Sequence, residues 1–335
     1  MAARDWIAAM RAGDFARAWE ISDRDLALIG RAGPAKHEGP RHLQRIWRGE
    51  PLAGRRVLVR CYHGLGDTIQ FARFLAPLRR LAAEVVVWCQ PELLSLVETL
   101  EGVDRALSLH DGTPDAGFDV DIEIMEIPHA IRASREQVRM QSPYIKMRRR
   151  DGRKPSTDAR SLSVGLVWNA GDWDRRRAIP SRLLKVLDCA GVQLYSLQRG
   201  TPAGAAGEIG AIDISTPDIG SLADRLLSLD LCVCPDTMVA HLSGALGCET
   251  WIMLHADCDW RWPASGGETL WYPSARLFRQ HIAGDWHGVV TEIRSAISER
   301  TENIEPTADQ ASQPAVAISP GAAMEGGGRR GAGAA

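Results

Sequence analysis

Short apolar runs that alternate with helical patterns are the feature that most limits how this sequence can fold. The runs that we interpret as buried strands are Val57–Cys61, Val85–Cys89, Val120–Ile127, Val164–Trp168, Val192–Leu197, Leu231–Cys234 and Thr250–Leu254. Amphipathic stretches such as Ser181–Cys189 and Ser221–Leu229 lie between some of them, with apolar residues at helical spacing. Strands that alternate with helices form parallel sheets covered on both faces. The sequence therefore predicts an α/β fold.

The chain divides into segments of different character, and its 335 residues are enough for about two domains. Both 49–150 and 162–300 contain the strand–helix alternation, so each is predicted to be an α/β domain. Between them, 151–161 is rich in charged residues, Pro and Ser and is predicted to be a linker. The tail 301–335 turns polar and then Gly- and Ala-rich, a composition typical of disordered chain.

Residues 1–48 are predicted to form a helical hairpin. Trp6 and Met10 lie one helical turn apart, and a similar pattern resumes after Gly13-Asp14. The stretch Ala12–Trp19 resembles one unit of a tetratricopeptide repeat, and a single unit cannot bury its own apolar face. We expect the hairpin to pack on the rest of this chain, with docking of a protein partner as the alternative.

Composition excludes several classes of function. Lys plus Arg total 40 and Asp plus Glu total 42, which leaves no surplus of cations for a general nucleic-acid binder. No apolar run approaches the ~20 residues needed to cross a bilayer, and no signal-peptide pattern follows Met1. The cysteines lie mostly in apolar runs without paired CxxC motifs, so we expect buried free thiols and no metal site. A cytoplasmic protein without a transmembrane segment is the expectation.

The first candidate site follows the first predicted strand. His63-Gly64-Leu65-Gly66-Asp67 sets two glycines, which permit a tight turn and close approach of a ligand, before an aspartate at the start of a helical pattern. Asp67 is either a functional carboxylate or a plain helix cap, since Asp is a favoured capping residue. The spacing differs from the GxGxxG of dinucleotide-binding folds, which argues against an NAD-dependent dehydrogenase.

The second candidate site follows the strand that ends at Trp168. Arg175–Arg177 come shortly before a predicted helix, and arginine suits phosphate because its planar fork donates paired hydrogen bonds. The alternative is a solvated loop in which Asp172 and Asp174 neutralise the arginines. From the sequence alone, the two interpretations are evenly balanced.

The third candidate site begins where the strand Leu231–Cys234 gives way to a helix of small residues. Asp236 and Thr237 lie at the start of that helix, where unpaired backbone N–H groups attract phosphate. His241 follows Thr237 by one turn on the same face. A histidine in this position is either a ligand contact or a packed core residue, and the sequence leaves both open.

Aromatic residues cluster late in the second predicted domain. They are Trp260, Trp262, Trp271 and Tyr272. Aromatic side chains stack on bases and sugars, but they serve equally well in a core. We expect at least two of them to be core residues.

Taken in order, these patterns resemble those of the family 9 glycosyltransferases, the superfamily of the ADP-heptose:lipopolysaccharide heptosyltransferases. The resemblance covers about residues 48–295 and is strongest to the branch in which tetratricopeptide repeats precede such a domain. The motifs that carry it are Gly64–Phe71, Gly165–Trp168, Arg177–Pro180, Ser196–Gln198, Asp236–Thr237 with His241–Leu242, Asp259–Trp262 and Trp271–Pro273.

The resemblance implies a fold and a reaction. The fold is a pair of Rossmann-like domains that face each other across a cleft, known as GT-B. The reaction moves a sugar from a nucleotide-diphosphate sugar to a glycan or protein acceptor. In the family, this transfer inverts the anomeric centre and uses no metal or other cofactor.

The resemblance also implies roles for individual residues. Asp67 falls at the position of the proposed general base. The residues implied to bind the donor are Arg177, Gln198, Asp236, Thr237 and His241. The residues implied to line the cleft or the acceptor site are His63, Gly64, Gly66 and Gln70.

The main alternative is a non-catalytic module of the same fold that binds a nucleotide or a sugar. It is favoured by Met238, at a position where the family commonly carries glycine, and by the incomplete repeat. It is disfavoured because Asp67, Arg177, Asp236 and His241 occur together.

Overall fold

The computed structural model describes residues 2–29, 46–140, 142–147, 161–202 and 204–302. The predicted linker 151–161 lies outside the described residues except for Ser161, and the predicted tail lies outside them from residue 303 onward. Residues 30–45, from the predicted helical segment 1–48, are also outside them.

The N-terminal segment contains two helices joined by a short turn. Helix α1 spans Ala2–Ala12 and helix α2 spans Phe15–Ile29. Gly13 between them has a φ of 68°, in the left-handed region that favours glycine. The two helices form the predicted hairpin within 2–29, whereas residues 46–48 at the end of the predicted segment are not helical.

The hairpin packs on the rest of the chain. Phe15 of α2 is buried, and the indole N–H of Trp19 donates to the carbonyl oxygen of Ala133 at 2.9 Å. Arg11 of α1 donates to the carbonyl oxygen of Cys258 at 2.6 Å. The expectation that this chain itself covers the hairpin is confirmed.

The first sheet is parallel, with the strand order β3-β2-β1-β4. Its strands are β1 (Arg56–Arg60), β2 (Glu84–Cys89), β3 (Arg105–Ser108) and β4 (Val120–Glu123). The helices that follow these strands are α3 (Leu65–Phe71), α4 (Leu75–Leu81), α5 (Leu94–Val97), α6 (Ile127–Ala130) and α7 (Arg135–Met140). The central strands β1 and β2 are almost wholly buried, as expected for a parallel sheet.

The second sheet is also parallel, with the order β10-β9-β8-β5-β6-β7. Its strands are β5 (Leu162–Leu166), β6 (Val192–Ser196), β7 (Ile212–Asp213), β8 (Leu231–Pro235), β9 (Thr250–Leu254) and β10 (Ala275–Arg279). Its helices are α8 (Ser181–Leu184), α9 (Ala205–Glu208), α10 (Ile219–Ser228), α11 (Met238–Leu246) and α12 (Trp286–Glu302). Counted from β5, the order is the doubly wound arrangement of Rossmann folds, and the predicted α/β class is confirmed.

The strands that the sequence did not predict all lie at the edges of the two sheets. They are β3, β7 and β10. An edge strand is paired on one side only, so it need not be a continuous apolar run. In β3 the two end residues are exposed and the two between them are only partly buried, and β10 carries an exposed arginine.

The predicted strand Val120–Ile127 is shorter in the structure because its last residues form a turn. Strand β4 ends at Glu123, whose carboxylate accepts a hydrogen bond from the backbone N–H of Met125 at 2.7 Å. A 3₁₀ turn over Ile124–Glu126 follows. The strand therefore stops where Glu123 begins to act as a cap.

One face of the first sheet is covered by a loop. Leu58, Val86, Trp88 and Leu109 form a small core on this face, with Phe118 packed against it. The connection from β3 to β4 contains no helix in the structure. Its Asp-Gly-Thr-Pro sequence at 111–114 contains turn-forming residues, which explains why this face is covered without a helix.

Two further expectations concern the thiols and the membrane. All seven cysteines are described and all are free, and those at 61, 89, 232 and 234 are buried as predicted. Over the part of the chain that the structure describes, no helix combines the length and the apolar character needed to cross a bilayer.

Gly244 of α11 is predicted to be intolerant of any side chain. A Cβ built on Gly244 would lie 2.4 Å from the ring of Tyr272, whereas one built on Gly207 of α9 meets no atom within 4 Å. We expect Gly244→Ala to lower the free energy of unfolding by about 1–3 kcal/mol through overpacking. Gly207→Ala, the matched control, should be neutral or slightly stabilising. Urea unfolding measures both, and equal effects would contradict this packing.

Candidate functional site

The candidate site lies where each sheet reverses its strand order. In open parallel sheets, ligands bind beyond the carboxyl ends of the strands at this switch point. In the first sheet it lies between β1 and β4, whose ends carry His63 and Glu123. In the second it lies between β5 and β8, which are followed by the Trp168 loop and by Asp236. The sequence patterns therefore occupy both switch points.

His63 and Glu123 form a pair at the first switch point. Nδ1 of His63 lies 3.0 Å from Oε1 of Glu123. Burial acts to lower the pKa of His63, but its hydrogen bond to Glu123 and the charge of that residue outweigh burial and raise the pKa. The pKa of Glu123 is also raised, because burial outweighs the effect of His63. His63 remains partly accessible, with 26% of its side chain exposed.

Asp67 lies in the first turn of α3, and its carboxylate binds two groups. Oδ2 accepts a hydrogen bond from the backbone N–H of Gly64 at 2.9 Å, which caps the helix. Oδ1 forms an ion pair with the guanidinium of Arg261, a residue that follows β9. Asp67 therefore caps α3 and also binds an arginine from the second half of the chain. Its capping role does not exclude a functional role for the carboxylate.

Arg261 is a site residue that the sequence analysis did not single out. Its guanidinium also donates to Oδ1 of Asp259 at 2.8 Å and to Oε1 of Gln70 at 2.6 Å. Burial acts to lower the pKa of Arg261, but the carboxylates of Asp67, Asp259 and Asp236 outweigh burial and raise it. In the sequence, Arg261 is marked only by its place between two tryptophans. That pattern does not show which carboxylates the arginine binds.

The start of α11 presents polar groups at the second switch point. Thr237 is the N-cap residue, and its side chain makes no capping hydrogen bond. Its buried hydroxyl has no hydrogen-bond partner among the described residues. Burial acts to raise the pKa of the neighbouring Asp236, but His241 and Arg261 outweigh burial and lower it. A buried hydroxyl and the first N–H groups of a helix suit an anion at this position.

The arginines of the loop after β5 differ in what they contact. Arg175 and Arg176 pair at the surface with nearby aspartates. Arg177 instead reaches the segment just before α11, where Nη1 donates to the carbonyl oxygen of Asp236 at 2.7 Å. The exposed ring of Trp173 lies beside it, 5.2 Å from the guanidinium carbon. The solvated-loop interpretation therefore holds for Arg175 and Arg176, and only Arg177 lies at the switch point.

The side chain of His241 is buried and contacts three other side chains. Nδ1 lies 2.9 Å from the hydroxyl of Tyr272, and Nε2 lies 3.6 Å from Oδ1 of Asp236. The ring stacks on Trp262 with the centroids 5.9 Å apart. Trp262, Trp271 and Tyr272 are buried, which confirms the expectation that at least two of the clustered aromatics are core residues. A direct contact between His241 and a donor stays a prediction.

The two helix starts approach each other closely at Gly66. A Cβ built on Gly66 would lie 2.8 Å from Cδ2 of His241 and 3.4 Å from Cα of Met238. Gly64, the N-cap of α3, has an ordinary extended backbone with a φ of −71°. The sequence interpretation of the glycines was therefore incomplete, because Gly66 makes room for α11 and Gly64 is not in the left-handed region.

The two glutamines of the predicted site are both buried, but their surroundings differ. Oε1 of Gln198 accepts hydrogen bonds from the backbone N–H groups of Trp168 and Asn169 at 3.0 and 2.8 Å, and Nε2 donates to the carbonyl oxygen of Arg199 at 2.9 Å. Gln198 thus holds the loop after β5, and its contact with a donor stays a prediction. Nε2 of Gln70 is a buried donor without a partner among the described residues.

Over the part of the chain that is described, no group of three or more His, Cys, Asp or Glu side chains is placed to hold a metal ion.

Comparison with known proteins reveals likeness in structure but not in sequence. No protein-family model matches the chain, and no curated protein matches it. The structure of a family 9 glycosyl transferase from Veillonella parvula superposes with a TM-score of 0.51 at 13% identity, over 76% of this chain and 98% of that one. E. coli ADP-heptose lps heptosyltransferase II superposes with a TM-score of 0.53 at 12% identity, over 74% and 98%.

In fold, this chain is similar to the family 9 glycosyltransferases. The matched share is about three quarters of this chain and nearly all of each neighbour. At this level of identity, the likeness concerns the fold alone. The tetratricopeptide branch stays a prediction.

The His63–Glu123 pair makes a testable prediction about proton binding. In Glu123→Gln, burial remains while the charge that raises the pKa is lost, so the pKa of His63 should be lower than in the wild type. The raised pKa also means that this histidine stabilises the fold below about pH 6.5 and loses that effect as pH rises through its folded pKa. NMR titration of the His63 ring measures the pKa directly, and an equal value in both proteins would contradict the pairing.

Proposed function

We propose that this protein is a glycosyltransferase that moves a sugar from a nucleotide-diphosphate sugar to a glycan or protein acceptor. The donor binds at the start of α11 and the acceptor binds beside α3. Transfer inverts the anomeric carbon and uses no metal. The proposal rests chiefly on one observation, the apposition of the polar start of α11 to the helix start that carries Asp67.

The donor end of the proposed site combines features that suit a diphosphate. The first N–H groups of α11 have no partner within the helix, and the hydroxyl of Thr237 is buried and unpartnered among the described residues. Arg177 brings a cation to the same strand end. Trp173 is 79% exposed beside it and offers a face on which a nucleobase can stack.

In the proposed reaction, Asp67 acts as the general base. It accepts the proton from an acceptor hydroxyl while the hydroxyl oxygen attacks the anomeric carbon. The bond from that carbon to the diphosphate breaks, and negative charge develops on the leaving nucleoside diphosphate. Arg177 and the start of α11 stabilise this charge.

Arg177 is expected to contribute more to this stabilisation than the helix start does. A charge-assisted hydrogen bond contributes about 1.5–3 kcal/mol, whereas a helix terminus contributes about 0.3–1 kcal/mol to a nearby charge. Arg177 also retains N–H groups for a ligand, because arginine carries five donors, while Nη1 donates to the carbonyl oxygen of Asp236 and Nε donates to that of Asp174.

A non-catalytic binding module of the same fold is the second candidate. It is favoured by the state of Asp67, whose two oxygens are already bound by the backbone of Gly64 and by Arg261. A carboxylate has about four acceptor positions, so these contacts leave room for an acceptor hydroxyl but restrict its approach. Slow release of nucleoside diphosphate from a nucleotide sugar by the purified protein would exclude this module, and complete inertness with retained nucleotide binding would support it.

Arg177→Ala tests the donor site. We expect turnover to fall by about 10²–10³, the effect of removing one electrostatic donor from a developing anion. The assay follows release of nucleoside diphosphate from whichever nucleotide sugar raises the melting temperature most. Arg175→Ala is the matched control, because that arginine is exposed and paired away from α11; turnover near wild type in both variants would remove Arg177 from the site.

Asp67→Asn tests the base. Asparagine keeps an oxygen for the N–H of Gly64, but an amide cannot take up the proton. We expect turnover to fall by about 10²–10⁴, while nucleotide affinity, measured by titration calorimetry, stays near wild type. Turnover equal to that of the wild type would show that Asp67 is a helix cap and not the general base.

A further inference from the structure

A cavity separates the N-terminal hairpin from the first sheet. Its volume is about 350 Å³, which lies within the range of about 300–1,000 Å³ for small-molecule sites. One wall comes from α1 and α2, and the opposite wall comes from β4 and the residues after it. The hairpin therefore builds half of a pocket as well as covering the sheet.

The cavity abuts the proposed reaction centre. His63 and Phe71 both line it, and Asp67 lies between them in the sequence, one helical turn before Phe71. Residues four apart lie on the same helix face. The guanidinium carbon of Arg261, the ion-pair partner of Asp67, lies 5.8 Å from the ring centroid of Phe71.

Two half-buried indoles give the cavity flat apolar surfaces. Trp6 of α1 and Trp260 of the loop after β9 meet edge to face, with ring centroids 4.9 Å apart. The indole N–H of Trp6 is held by the hydroxyl of Ser22 at 3.1 Å, which fixes the ring. Rigid indoles beside polar groups suit a sugar ring, which has an apolar face of C–H groups and an edge of hydroxyls.

The charges of the lining residues disfavour sugars that carry a negative charge. The acidic side chains that line the cavity are Asp25, Glu123 and Glu126, and the histidines are His63 and His129. Of the described residues in its walls, none is a lysine or an arginine. The arginines nearby already bind carboxylates, since Arg132 pairs with Asp23 and Arg261 pairs with Asp67. A carboxylate or phosphate on the ligand would meet the like charges of Asp25 and Glu126, with no lysine or arginine among the described wall residues to offset them.

We propose that this cavity binds the terminal sugar of the acceptor and selects a neutral sugar or an amino sugar over one that bears a carboxylate or a phosphate. The hairpin then determines acceptor specificity through Trp6 and Asp25. This inference rests on the proposed transferase function, because it places the acceptor hydroxyl beside Asp67.

Binding of simple sugars tests the proposal without a turnover assay. Saturation-transfer NMR is recorded on the full chain with methyl glucoside, glucosamine, glucuronic acid and glucose 6-phosphate. We expect the first two to bind and the last two to bind at least about tenfold more weakly. Trp6→Ala should weaken binding of the neutral sugar about three- to tenfold through loss of stacking, and Trp6→Phe should restore part of it.

Two further variants separate the cavity from the rest of the hairpin. In Asp25→Asn, the ratio of the affinity for methyl glucoside to the affinity for glucuronic acid should fall by about threefold, since a partly exposed charge contributes up to about 1 kcal/mol. Leu28→Ala changes an exposed residue of α2 outside the cavity and should bind like the wild type.

The proposal is overturned if none of the neutral and amino sugars binds, if acidic sugars bind equally well, or if binding is unchanged in Trp6→Ala. A parallel titration with ADP and UDP tests the donor site separately. Nucleotide binding without sugar binding would reject the acceptor cavity and leave the transferase proposal standing. Selective sugar binding in the cavity without any binding of nucleotides or nucleotide sugars would reject the transferase proposal, and with it the acceptor role of the cavity, while the sugar site itself would stand.

Discussion

The starts of α3 and α11 meet at Gly66, where the space for a side chain is filled by His241 and by the backbone of Met238. Each helix follows a central strand of its sheet, so this contact joins the two switch points of the fold. The ring of His241 is held in turn by Tyr272, Asp236 and Trp262. The remaining geometry of the site depends on this close approach, because a larger residue at 66 would push the helices apart.

Charge pairing supplements this packing contact. Arg261 comes from the second half of the chain and bonds to Asp67 and Gln70 of the first. The guanidinium of Arg261 is buried and the carboxylate of Asp67 is only partly exposed, so the pair fixes the carboxylate relative to the start of α11. Arg177 is anchored next to the start of α11 by a hydrogen bond to the carbonyl oxygen of Asp236. The site therefore holds one cation that is neutralised by carboxylates and one that is bound only to backbone.

The sequence was sufficient to predict the central strands, the parallel α/β class, the hairpin and the positions of Asp67, Arg177 and Asp236 at strand ends. These features follow from local periodicity and from the rule that ligands bind at the carboxyl ends of parallel strands. Edge strands such as β10 escaped prediction because one-sided pairing needs no long apolar run. The partners of Arg261 escaped it because they lie far away in the sequence, and the cavity beside the hairpin arises only when separate segments pack together.

Hydrogen exchange on adding ADP or UDP tests most directly whether the start of α11 is the donor site. The account predicts slower exchange at the amides of Met238–Ala240 and in the loop that carries Arg177, with no comparable change on the outer strand β3. The same measurement on Arg177→Ala should show weaker protection at the same nucleotide concentration. Binding of the nucleotide with protection confined to other elements, leaving α11 unchanged, would contradict the account.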